Sequence, residues 1–385
     1  MTVYVLATLL ACLAAWMAGR DHAHRKAWMV ASAVPLTLVA AARWGLGTDL
    51  DFTYLPAFTA LEWMRGGGGE DLAEKLFRPL INGLVHRPLL QTPIEEAHHW
   101  FAIFGTMEVG YRTLLEAVVF LGGSFRWVTV ITSLLAGGLV FAAIWRQSRW
   151  PALAIYFYVT TSNYFLSLNI VRQYIAIGFV LLSLSFVQER RPWRFILLVA
   201  AGALFHKTAF LALPCWMFAR IDVKPYWGCI AVLLAVAASF AAAPFFRAIL
   251  PYVGADHYVR YFDMRFAKDG FEWMFFLINL CFMAIAMWYW SQATKGNPLF
   301  RCWYWMTVAG TVALSFSATV PLMKRVNFYF AAPQFMMLPE ILQSESDVRK
   351  RRWLVAMSVL AFAAETFVAV FLMNKNEPLP YRVMP

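Results

Sequence analysis

Charge is scarce in this chain. Only 14% of its 385 residues are Asp, Glu, Lys or Arg, against about a quarter in a soluble domain. That scarcity excludes a soluble globular protein. The 61% hydrophobic content excludes a disordered one. Motifs of soluble enzymes are missing as well. There is no G-x-S-x-G, no Walker A and no H-E-x-x-H, which removes the common hydrolase, NTPase and metalloprotease classes. No metal and no cofactor is expected. No internal repeat of the kind that marks secondary transporters is visible. The five cysteines, Cys12, Cys215, Cys229, Cys281 and Cys302, lie within or at the ends of apolar runs without C-x-x-C spacing. They read as small packing residues, not disulfides or metal ligands.

What remains is a membrane protein. Its apolar runs are continuous, which argues against a β-barrel. At roughly 20 residues per span, the sequence predicts an all-α, polytopic membrane helix bundle of about 11–12 transmembrane helices forming one integral membrane domain. The helices are expected near 2–18, 27–42, 127–145, 151–167, 173–188, 193–205, 208–219, 226–242, 272–291, 302–318, 326–342 and 353–373. The first lacks the flanks of a cleaved signal and reads as a retained helix. The short pair 193–205 and 208–219 reads as one broken or re-entrant unit around His206-Lys207, tolerable only where it faces protein or a wet cavity.

The net charge of +11 would suggest nucleic acid in a soluble chain. Here it belongs to cytoplasmic loops and anionic lipid, and no nucleic-acid partner is expected. With the N-terminus outside, the short inner loops hold Arg20, Arg25, Lys26, Arg146, Arg149, Arg190, Arg191, Arg194, Arg220, Lys224, Lys295, Arg301 and Arg349 to Arg352. The short outer loops hold only Arg172, Lys207, Lys324 and Arg325. This asymmetry places both termini outside. Basic residues against that bias either snorkel to lipid phosphate or meet an anionic substrate.

Two long outer segments are expected, about 43–126 and 243–271. The first holds a four-glycine turn at 66–69, His86, His98 and His99 without metal-ligand spacing, and a short helix over 107–121 at the outer interface. The second mixes Pro244, Pro251 and Gly254 with Arg247, Arg260, Arg265 and Lys268. It reads either as an interfacial anchor or as a lid over a polar lipid head group.

Five polar clusters fall on the outer side: 47–54 with Asp49, Asp51 and Tyr54; Glu108-Val109-Gly110-Tyr111-Arg112; Asn169-Ile170-Val171-Arg172-Gln173 with Ala176; Phe205-His206-Lys207-Thr208-Ala209; and Lys324 to Phe330. Singly, each has a structural role, such as helix capping by Asp49 or Asp51 or snorkelling by Arg172. Together they place ionisable groups from five regions at one side of the bilayer, where such groups are costly.

In this order the clusters resemble the EpsG/Wzy-type bacterial polysaccharide polymerase family. The matching residues are Asp51-Phe52-Thr53-Tyr54, Glu108-Val109-Gly110-Tyr111, Asn169 to Ala176, Phe205 to Ala209, and Arg325 with Tyr329-Phe330. Val109 stands where the pattern has proline, which questions the turn before Tyr111. Thr208 stands for serine, and the insert at 65–106 is long. The resemblance implies a GT-C-like bundle in the bacterial cytoplasmic (inner) membrane with a periplasmic or extracellular active face. It implies an undecaprenyl-diphosphate-linked oligosaccharide donor and acceptor, with membrane lipids, a flippase and chain-length regulators as partners. In that reaction the leaving diphosphate gains charge, and Arg172, Arg325, Lys207 and Lys324 are the candidates to hold it. Glu108 or His206, then Asp51, are candidates for the base. Asn169, Gln173, Tyr54, Tyr111 and Tyr329 are sugar-binding candidates, and Asp49 and Arg112 lie close in sequence. An O-antigen ligase shares this cation logic. A lipid-linked sugar flippase would need charges spread through the bilayer.

Overall fold

The computed structural model describes residues 1–44, 46–47, 49–79, 92–249, 270–320 and 322–383; for residues 51, 52, 79, 243, 246, 247 and 249 it describes the backbone alone. Thr48, His86, Pro251, Gly254, Arg260, Arg265 and Lys268 therefore lie outside the described residues, as do the Asp51 and Arg247 side chains.

The described chain is helical, with no strand beyond one isolated bridge between Arg43 and Val383. Helices α1 (Thr2–Arg20) and α2 (Arg25–Ala42) form an antiparallel pair. The first long segment then folds into α3 (Leu55–Arg65), α4 (Glu70–Pro79), α5 (Pro93–Thr106) and α6 (Val109–Phe120), which share a core around Phe58, Trp63, Tyr111 and Leu115. Thr92 and Glu95 form a reciprocal capping box at the start of α5. The expected helix over 107–121 exists as α6, and it packs on α3 and α7 (Phe125–Gln147).

Next come α8 (Pro151–Thr160), α9 (Asn163–Asn169), α10 (Val171–Gln188) and α11 (Pro192–Ala203). Pro151 and Pro192 start their helices, where a missing N–H has no cost. α10 lies at the centre, against α7 and α11, and 72% of its apolar stretch is buried, against 17% for the last helix. A helix apolar on all sides belongs in such a place.

The second half comprises α12 (Cys215–Phe218), α13 (Trp227–Ser239), α14 (Ala242–Ile249), α15 (Trp273–Trp288), α16 (Trp290–Gly296), α17 (Phe300–Ser315), α18 (Met323–Ala331), α19 (Gln334–Gln343) and α20 (Val348–Thr366). Asp347 caps α20 by accepting from the Arg349 and Lys350 N–H groups.

Among the described residues, four helices are long and apolar enough to span a membrane: α1, α7, α10 and α20 with its continuation to Leu372. The outward faces of α1 and α13 expose Leu6, Leu9, Leu10, Leu13, Leu233 and Leu234, a surface suited to lipid. Other expected spans are broken. The 151–167 run divides at Thr161-Ser162, where Ser162 takes a positive φ of 61°. The 272–291 run bends by 83° between α15 and α16. The 326–342 run divides at Pro333, which cannot continue the hydrogen-bond ladder of α18. The 208–219 run is a 3-10 turn over Lys207–Ala212 followed by the four residues of α12. His206 and Lys207 sit at the break between this unit and α11, as the sequence suggested.

The C-terminal tail returns to the first helical pair. Tyr4 donates to the Pro378 carbonyl at 2.9 Å, Tyr381 to the Val39 carbonyl at 2.9 Å, and the Trp44 N–H to the Arg382 carbonyl at 2.9 Å.

Candidate active site

Five separate segments converge. They are the turn after α2, the start of α6, the α9–α10 kink, the break after α11 and the start of α18. Two glycines let the backbones approach. At Gly47 (φ +93°) an added Cβ would stand 2.8 Å from the Leu168 carbonyl oxygen. At Gly110 it would stand 2.9 Å from the Leu204 carbonyl oxygen, to which the Gly110 N–H donates at 2.7 Å. Gly47→Ala combines a disfavoured φ with a backbone clash. It is expected to cost about 1–3 kcal/mol, read as a lowered thermal midpoint of the purified protein and as weakened placement of Asp49.

Glu108 is the N-cap of α6, with ψ 145°. Val109 therefore occupies the first helical position, where proline is favoured but not required. This settles the turn before Tyr111: it forms with valine.

The carboxylate of Glu108 is the hub. Its Oε2 meets Arg172 Nη1 at 2.7 Å, and its Oε1 lies 3.4 Å from His206 Nδ1. The Lys207 backbone N–H donates to Oε1 at 3.5 Å. Arg172 also donates through Nε to the Tyr54 hydroxyl at 3.3 Å, and that hydroxyl donates to Asp49 Oδ2 at 3.4 Å. The Tyr54 and Tyr111 rings lie 5.4 and 5.9 Å from the guanidinium carbon, within cation–π range. Asn169 Oδ1 accepts from the Asp49 N–H at 3.2 Å. Gln173 donates to the Arg325 carbonyl at 2.7 Å, fixing α18 to α10. Thr208 donates to the Tyr329 hydroxyl at 3.1 Å and lies 3.3 Å from His206 Nδ1.

Glu108, His206 and Arg172 side chains retain 13%, 21% and 25% exposure, so the hub is sheltered but reachable. Burial pushes the His206 imidazole well below its usual 6.5, and only the Glu108 charge opposes this; Arg172 and Arg325 lower it further. Burial also raises the Asp49 carboxyl, against the pull of Arg325 and Arg172. Neutral His206 has one N–H. If Nδ1–H points at Glu108, Nε2 is an acceptor. Arg325 and Lys207 are exposed at the rim, and neither side chain has an ion-pair partner among the described residues.

The structure thus joins Asp49, Tyr54, Glu108, Tyr111, Asn169, Arg172, Gln173, His206, Lys207, Arg325 and Tyr329. Tyr54, Tyr111 and Tyr329 are buried, and their observed contacts hold Arg172 and Thr208. Lys324 is not brought to the hub. It pairs with Glu272 at 2.7 Å beside a separate cavity of about 530 Å³ lined by Phe275, Asn279 and Phe328. Arg112 pairs along its own helix with Glu116 at 3.8 Å. Asp51 has no described side chain. His98 and His99 make edge contacts with Trp63 and Trp100. Thr208, at the hub, belongs to the fourth polar cluster but has no role assigned from sequence, and Arg43 lies outside the five clusters. Arg43 carried a signal: a cation directly at the end of an apolar run.

With this geometry in hand, one comparison is decisive: the EpsG family model matches residues 26–383. The chain belongs to the EpsG family. No curated protein and no solved structure matches it. The match spans the hub and all but one of the helices, so the resemblance drawn from the short motifs extends over nearly the whole chain. Membership in EpsG supports a glycosyltransferase-like polysaccharide polymerase role in a membrane protein.

Proposed function

We propose that the chain polymerises lipid-linked glycan repeat units at the outer face of the bacterial cytoplasmic membrane. The growing chain is transferred from undecaprenyl diphosphate to the non-reducing-end sugar of an incoming lipid-linked unit. The supporting observation is the Glu108 hub: one carboxylate oriented between Arg172 and His206, with Arg325 and Lys207 at its rim without an ion-pair partner among the described residues.

In this reading Glu108 fixes the Nδ1–H tautomer of His206, and His206 Nε2 accepts the proton of the acceptor hydroxyl. The hydroxyl oxygen forms a bond to the donor's anomeric carbon. The bond from that carbon to the diphosphate oxygen breaks, and its electron pair leaves with undecaprenyl diphosphate. Arg325 and Lys207 meet the departing charge, and Arg172 holds the hub that orients the base. His206 releases its proton to water afterwards.

The test is purified protein in lipid nanodiscs with an undecaprenyl-diphosphate-linked repeat unit. A ladder of extended glycans is expected, and it should disappear in Arg325→Ala with the protein still folded. Passage of the lipid between leaflets without extension, or transfer only to a different acceptor, overturns the polymerase reading.

A further inference from the structure

The 530 Å³ cavity beside Lys324 has no part in the reaction assigned to the hub. Its walls come from α15, α18, α19 and α20, and Asn163 and Leu166 of α9 also line it. α15 packs on α17 and α19, and α20 packs on α8 and α19. The cavity is the space that this arrangement leaves between α15 and α20. Met274, Leu277, Cys281 and Ile285 line it and are themselves exposed, at the spacing of one helix face. It is therefore a cleft open along α15, not a closed void.

The interior of the cleft is apolar, with Ile278, Phe282, Phe328, Leu338 and Phe362 along it. The amides in its wall bond one another: Asn279 donates to Asn327 at 2.9 Å, and Gln334 donates to Asn279 at 2.8 Å. From Met274 to Ile285 the lining of α15 extends about 16 Å at 1.5 Å per residue. One leaflet of a bilayer core measures about 15 Å. The cleft thus has the depth and the polarity that a single lipid chain requires.

Charge gathers at one end, where α15 begins and the continuation of α20 runs out. Lys324 pairs there with Glu272 at 2.7 Å. Lys324 Nζ lies 5.3 Å and Lys375 Nζ 4.5 Å from the centre of the Phe275 ring. Lys375 interacts electrostatically with Lys324, Glu365 and Glu272. Two ammonium groups and two carboxyl groups therefore share this mouth. Trp273, exposed on the first turn of α15, is the residue type that marks the head-group level of a bilayer. The rim of the hub exposes the cations Arg325 and Lys207, whereas this mouth sets acids beside its cations. A diphosphate would be repelled by Glu272 and Glu365. A head group with one charge of each sign meets a partner for each.

We propose that the cleft binds one zwitterionic glycerophospholipid, with an acyl chain between α15 and α20, its phosphate at Lys324 and Lys375 and its amine at Glu272. The lipid is a structural ligand and not a substrate, and its binding does not depend on the reaction assigned to the hub. Lys324 and Arg325 are neighbours at the start of α18, so a bound head group holds that helix end in place beside the hub.

The test is native mass spectrometry of the full chain in detergent, stripped of lipid and offered equal amounts of phosphatidylethanolamine and phosphatidylglycerol with identical chains. One phosphatidylethanolamine per chain is expected, in clear excess over phosphatidylglycerol. Ile278→Trp fills the cleft and leaves the charges in place, so it should abolish retention. Lys375→Gln should weaken retention about tenfold, the loss of one hydrogen bond to a charged group. Glu272→Gln should shift the preference toward phosphatidylglycerol, a change that a merely structural role for Glu272 would not produce. Lys375→Gln and Glu272→Gln keep the test decisive if Ile278→Trp does not fold. The proposal is overturned if the wild type retains no lipid or prefers phosphatidylglycerol, or if the variants retain lipid as the wild type does. Displacement of the lipid by an equal amount of undecaprenyl diphosphate also overturns it, because the cleft would then be a substrate site.

Discussion

Arg172→Met is expected to abolish glycan chain extension. Two effects add. The substitution removes the 2.7 Å ion pair and leaves Glu108, with 13% of its side chain exposed, beside His206 without its strongest partner. Breaking a fully buried pair costs about 3–5 kcal/mol, and residual exposure puts this one nearer 2. The hub also loses the group that orients it, which at comparable electrostatic sites costs about 10²–10³ in rate. Arg172→Lys keeps the charge but cannot donate to Glu108 and Tyr54 in one fixed plane, so it should recover only part of the activity. The measurements are the glycan ladder in a deletion strain and the monodispersity of the purified variant. A full-length ladder with Arg172→Met would show that Arg172 does not organise the reaction.

The second large effect belongs to His206. His206→Asn is expected to lower chain extension by about 10²–10⁴ while preserving the fold, the range for loss of a general base. Glu108→Gln should fall in the same range, because the amide no longer selects the Nδ1–H tautomer. The pH profile separates this mechanism from a structural role. His206 is held below 6.5 by burial, so the neutral, accepting form persists into mild acid, and the acid limb should lie well below pH 6.5. For stability the sign is also fixed. The unfolded chain takes up the proton first, so stability is level above about pH 6.5 and declines as pH falls toward the folded-state value. In His206→Asn that decline should shrink. A rate profile that bends at pH 6.5 would rule out His206 as the base.

Much of this was legible in the sequence, for a physical reason. Glu108, Arg172, His206 and Arg325 stand out because charges beside apolar helix ends have to be satisfied by one another, by lipid or by substrate. Their spacing along the chain cannot say which pairs form. Lys324 and Arg325 illustrate the limit. Both begin α18, and successive helical residues point about 100° apart. One faces Glu272 and the 530 Å³ cavity; the other bears on Asp49 and His206. Nothing in the dipeptide says where the helix starts. The break at Ser162 has neither proline nor glycine to announce it. Arg43 stands next to a polar segment, where a lone cation reads as solvated, and only packing shows that it is buried.

The returning tail imposes an order on biosynthesis. The carbonyls of Pro378 and Arg382 serve Tyr4 and Trp44, residues made long before them. Until the ribosome has delivered residues 374–383, the junction under the Gly47 turn stays unsealed. The junction therefore closes late, after the helices that it joins have been made.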